Sequence, residues 1–116
     1  MERAKQAARA GVDLIAHSIL DRPVDDELVA LMLEHGTAYG PSLAVYEPVR
    51  VGQAPPEGPE SPVLRQRRIN FEVGLENVKR LHDAGVPVVV ATDAGMPGTP
   101  HGRATTRELE LLVRAA

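Results

Sequence analysis

Three side chains stand where a strand would hand over to a loop: His17, Asp93 and His101. His17 follows the short, mostly apolar stretch 12–16. Asp93 ends the run Val86-Pro87-Val88-Val89-Val90-Ala91-Thr92, and His101 lies in the Gly/Pro-rich loop from Gly95 to Gly102. Groups carried at the C-terminal ends of buried parallel strands converge at one mouth of a sheet. An imidazole and a carboxylate meeting there can hold a divalent metal or set up acid/base work. On residue types alone a structural role stands beside each: His17 satisfied by a backbone carbonyl, Asp93 capping a loop, His101 in solvent.

Other candidates read as structural. His35 and His82 fall near the ends of expected helices, where the dipole favours a cation. Arg65, Arg67 and Arg68 share a helix with Glu72 and Glu76 and make a solvated face. The chain contains no phosphate-binding Gly-rich loop, no H-E-x-x-H and no G-x-S-x-G.

The elements that must position these groups follow from local signals. An Ala-rich helix over 2–10 ends at Gly11, and a strand over 12–16 delivers His17 and Ser18. Asp25 caps a second helix that closes at Gly36, and a second strand covers 37–40 before Pro41-Ser42-Leu43. Residues 44–61, with Pro48, Gly52, Pro55, Pro56, Gly58 and Pro59, read as one irregular loop, of the length used for lids or connections. Ser61-Pro62 opens a long helix running to Gly85. The apolar run over 87–92 reads as a third strand, covered on both faces, and Thr105 and Glu108 have the spacing of a capping box for a final helix.

Helix, strand, helix, strand, helix, strand, helix implies right-handed βαβ units and an α/β fold with three parallel strands. Such a sheet leaves edges and faces open, so the chain is expected to self-associate or to pair with a missing part. A net charge of −3 gives no reason to expect nucleic acid, and no run of eighteen apolar residues suggests a membrane span. The absence of cysteine excludes disulfides and thiolate metal sites. A cytoplasmic protein with a small-molecule substrate is expected. Aromatics make up only 3% of residues, so the core must be built from Val, Leu, Ile and Ala.

Four stretches in order carry a resemblance: Gly11-Val12-Asp13-Leu14-Ile15-Ala16-His17-Ser18, Tyr39-Gly40-Pro41-Ser42-Leu43, Leu81-His82-Asp83-Ala84-Gly85-Val86 leading to Ala91-Thr92-Asp93-Ala94-Gly95, and Arg107-Glu108-Leu109-Glu110-Leu111-Leu112. Together they resemble the C-terminal part of metal-dependent amidohydrolases of the imidazolonepropionase and prolidase-like group. The resemblance implies the C-terminal fragment of a (β/α)8 TIM-type barrel, strands six to eight, with one or two divalent ions, zinc first among them, in the complete barrel. It makes His17 a metal ligand, as in binuclear members, or a substrate-side residue, as in mononuclear ones, and Asp93 both a metal ligand and the catalytic group that takes a proton from the attacking water. His101 would face substrate. The family's Gly-Thr-Asp is Ala91-Thr92-Asp93 here and its Pro-Thr-Leu is Pro41-Ser42-Leu43. The histidines of strands one and five and the strand-four lysine have no counterpart, so most of the metal site is missing.

Two expectations follow. One is part of a metal-dependent hydrolase of amide or other C–N bonds in a small molecule or dipeptide, inactive as an isolated fragment. The other is a small non-catalytic α/β interaction module without metal.

Overall fold

Local signals bound the helices of the computed structural model, which describes all 116 residues. Helix α1 spans Glu2–Arg9 and α2 spans Asp26–His35. The Asp25 side chain caps α2 by accepting from the Leu28 N–H at 3.0 Å, and Gly36 ends it in the left-handed conformation, φ 67°. Helix α3 is a single turn, Leu43–Tyr46. Helix α4, Pro62–Asp83, starts on a Ser61 hydroxyl that accepts from the Leu64 N–H at 3.1 Å, with Pro62 in its first turn. Helix α5 spans Arg103–Ala115. It begins without a side-chain cap, so the expected Thr105/Glu108 capping box does not form. No helix is long and apolar enough to cross a membrane.

The sheet departs from expectation. Strand β1, Leu14–Ala16, pairs in parallel with β2, Ala38–Gly40, in the register Leu14↔Ala38, Ile15↔Tyr39, Ala16↔Gly40. The expected third strand over 87–92 is absent; that segment makes one isolated parallel bridge, Val88 to Tyr39. The chain is therefore five helices and two short strands, which overturns the expected three-stranded fragment of a (β/α)8 barrel.

Backbone chemistry explains why the ladder stops. Tyr39 donates its N–H to the Pro87 carbonyl at 2.8 Å and accepts from the Val89 N–H at 2.9 Å. A further rung needs an N–H on Pro41, which has none, and the Pro41 carbonyl already accepts from the Ser18 hydroxyl at 2.6 Å. The rung before it needs an N–H on Pro87, again missing, and the Thr37 N–H goes to the Met32 carbonyl of α2 at 2.9 Å. Prolines thus flank the bridge on both segments.

Nor are both faces of the sheet covered. Ile15 and Tyr39, partners in register, join Leu28 and Met32 of α2, Phe71, Leu75, Val78 and Leu81 of α4, and Leu111 of α5 in one core cluster. The helices thus bury their apolar stripes against one side of the strands. On the other side Leu14 is 45% and Val89 38% exposed. Gly40 lets the 88–92 segment lie close to β2: a Cβ there would meet Ala91 Cβ and Val89 Cγ2 at 3.3 Å.

Candidate functional site

Three residues other than glycine adopt left-handed backbone: His17 (φ 73°), Ser42 (φ 51°) and Asp93 (φ 51°). His17 follows β1 directly, Ser42 follows β2 by two residues, and Asp93 closes the segment bridged to β2. A left-handed residue with a side chain costs roughly 1–3 kcal/mol, less for Asp and His than for bulkier types, and such strain clusters at functional sites, where surrounding structure imposes it. Here all three instances fall where the parallel segments end.

Each turn is pinned. The His17 N–H donates to the Gly40 carbonyl at 2.8 Å, carrying the β1 to β2 pairing one step past the strand. Next to it the Ser18 hydroxyl holds the Pro41 carbonyl, and the Ile19 N–H donates to the Tyr39 hydroxyl at 3.0 Å. Burial, chiefly, pushes the Tyr39 phenol up to about 12. Asn77 of α4, fully buried, holds the rest of this loop. Its Oδ1 accepts from the Val24 N–H at 2.7 Å and its Nδ2 donates to the Ile19 and Arg22 carbonyls at 2.9 and 3.0 Å.

Tyr46, at the end of α3, packs against His17. Its ring stands edge-on to the His17 imidazole, with centroids 6.1 Å apart and planes at 84°. Its phenol is raised above the ordinary tyrosine value, first by burial and then by the negative charge of Asp93. His17 thus packs against a half-buried tyrosine that also feels the charge of Asp93. His101 is placed differently: its ring packs over Gly95, where a Cβ would come within 3.3 Å of Nε2. That contact ties His101 to the loop following Asp93, in which the Gly95 N–H donates to the Thr99 carbonyl at 2.9 Å.

The loop after α3 is fastened to the same region. Arg50 donates from Nε to the Val45 carbonyl and from NH1 to the Pro97 carbonyl, both at 2.7 Å, and the Gly52 N–H donates to the Gly98 carbonyl at 2.9 Å. A groove of about 540 Å³ runs beside β1 on the side away from β2, between α1 and the 17–21 turn, and His17 lines it.

As metal donors, His17 and Asp93 supply one imidazole and one carboxylate, both types that bind zinc. No three His, Asp or Glu side chains come together as a metal-holding group. The donors fit in kind and fall short in number of the three protein ligands that a catalytic zinc takes. Neither Tyr46 nor Ser42 is a candidate site residue on sequence alone, Ser42 entering only as part of Pro41-Ser42-Leu43. Tyr46 falls within the stretch read as irregular loop, and its scarcity was the available signal, since the chain has two tyrosines, one phenylalanine and no tryptophan.

No family model matches the chain. It is 38% identical over 94 residues to an uncharacterized protein of Mycobacterium bovis, and equally to uncharacterized proteins of two Mycobacterium tuberculosis strains. The match covers 81% of this chain and 24% of each relative, so the chain spans about a quarter of the length of the curated relatives it matches.

Proposed function

We propose that this chain is part of a metal-dependent hydrolase acting on amide or other C–N bonds of a small molecule or dipeptide, with His17 and Asp93 as metal ligands. The observation that carries the reading is the left-handed backbone at His17 and Asp93, each where a parallel segment ends. A bound divalent ion, zinc first among the candidates, would supply Lewis acidity and bring the pKa of water toward about 7. Asp93 accepts the proton of the attacking water and returns it to the leaving amine. His17 is held by its backbone bond to Gly40, with its ring against Tyr46. His101, over Gly95, faces substrate. Two protein donors do not complete a catalytic site, so the remaining ligands come from sequence beyond this chain, and the isolated chain is inactive. Zinc titration of the isolated chain followed by NMR tests the assignment. Weak binding should shift His17 and Asp93 resonances together and be abolished by His17→Ala and by Asp93→Ala. Binding that survives both substitutions refutes it.

A second reading, a non-catalytic interaction module, is favoured by the exposed Leu14 and Val89 on the open side of the strands. Sedimentation separates the two. Concentration-dependent self-association abolished by Leu14→Lys, together with no zinc response at His17, supports the module.

A further inference from the structure

Helix α3 has four residues, too few to hold a helical turn by itself, and Ser42 before it provides no side-chain cap. Both of its ends are instead held by two consecutive residues of α5. Glu108, fully buried, accepts from the Leu43 N–H at 2.9 Å and from the Ala44 N–H at 2.7 Å, occupying the α3 N-terminus with both carboxylate oxygens. Arg107 grips Glu47 at the other end, Nε donating to Oε1 at 3.0 Å and to Oε2 at 3.1 Å, and Nη2 to Oε1 at 2.6 Å. Burial raises the Glu108 carboxyl above its ordinary value, and the two N–H donors oppose that rise by favouring the anion. A buried carboxylate serving only to stabilise is a poor choice, because its desolvation offsets most of the gain. What the pair does achieve is to fix the short turn that ends in Tyr46.

We propose that Arg107 and Glu108 are positioning residues, a two-point clamp from α5 that sets Tyr46 against His17 and so holds the orientation of the His17 imidazole. Its bearing on catalysis rests on the hydrolase reading above. The contact itself does not, so the test uses neither metal nor substrate. In the full chain, Glu108→Gln keeps the volume but turns an amide N–H toward one of the two backbone donors. Arg107→Met keeps the aliphatic stem and removes the fork. Leu111→Ala, a buried site one turn along α5, serves as a destabilised control.

The readout is the ring-to-ring NOE between His17 and Tyr46, with the His17 ring chemical shifts. The clamp predicts that each clamp variant weakens the NOE severalfold and moves the His17 ring shifts, while Leu111→Ala leaves both as in the parent. Two results overturn the proposal: an unchanged NOE in both clamp variants, or an equal loss in Leu111→Ala. The zinc titration under the hydrolase reading is a separate experiment, and its failure with the NOE pattern intact removes that reading alone.

Discussion

Replacing Asn77 by leucine should cost about 2–4 kcal/mol, and the figure can be worked from the loop it holds. Leucine branches at Cγ as asparagine does and is a good helix former, so α4 keeps its propensity, while its bulkier methyls in this buried site can only add to the cost of the lost bonds. Lost are three hydrogen bonds, to the Val24 N–H and to the Ile19 and Arg22 carbonyls. Val24 is buried, so its N–H is left unpaired at roughly 1–3 kcal/mol. The Ile19 carbonyl loses a buried bond worth about 1 kcal/mol, and the part-buried Arg22 carbonyl can turn to water at little cost. For a chain of this size the sum lowers the melting temperature by roughly 8–15 °C. Ile19 is held from both sides, its carbonyl by Asn77 and its N–H by Tyr39. Asn77→Leu and Tyr39→Phe should therefore couple: once one tether is gone the loop relaxes, and the second loss costs at least ~0.5 kcal/mol less. Urea unfolding of the two single variants and the double variant, followed by circular dichroism, measures all three terms. A single-variant cost below ~1 kcal/mol, or strict additivity, would refute the reasoning.

Gly40→Val should force the 88–92 segment off β2 at a cost of roughly 1–3 kcal/mol, seen as faster hydrogen exchange at the Val89 N–H. Lys5, buried on α1, reaches Asp25 and Glu27 at 2.6 Å each and holds both carboxyls below their ordinary values. With folded values depressed, that stabilisation is complete above the ordinary carboxylate range and is lost as pH falls through the depressed values. The urea midpoint should therefore drop on acidification from pH 7 to about 3, and drop less in Lys5→Met. Asp93→Gly should leave stability unchanged or raise it by up to ~1 kcal/mol, since glycine takes φ 51° without strain, while removing zinc binding; thermal melts and zinc titration check the two halves.

The helices were legible because their signals are local: Asp25 and Gly36 bracket α2, and Ser61-Pro62 opens α4, each within one turn of the boundary it sets. The third strand was misread because an apolar run reports burial and β-propensity but not whether rungs are free. Pro41, Pro87 and the engaged Thr37 N–H close the ladder on either side of Tyr39. Glu108 shows the same limit at longer range. Its spacing from Thr105 suits a capping box, yet its carboxylate has two backbone N–H partners more than sixty residues away in sequence. At the candidate site, His17 and Asp93 could be picked by residue type at the ends of apolar stretches. Their left-handed backbone and the packing of His17 against Tyr46 arise from tertiary contacts, which no local pattern encodes.

The most direct test of the hydrolase assignment is amide hydrolysis by the protein extended over the full length of its mycobacterial relatives, zinc-loaded, compared with its Asp93→Ala variant. If Asp93 carries the proton from water to the leaving amine as proposed, metal-dependent turnover falls at least ~10²-fold when it is removed. Turnover that is unaffected by Asp93→Ala, or no metal-dependent turnover over a panel of amides and dipeptides, would contradict it.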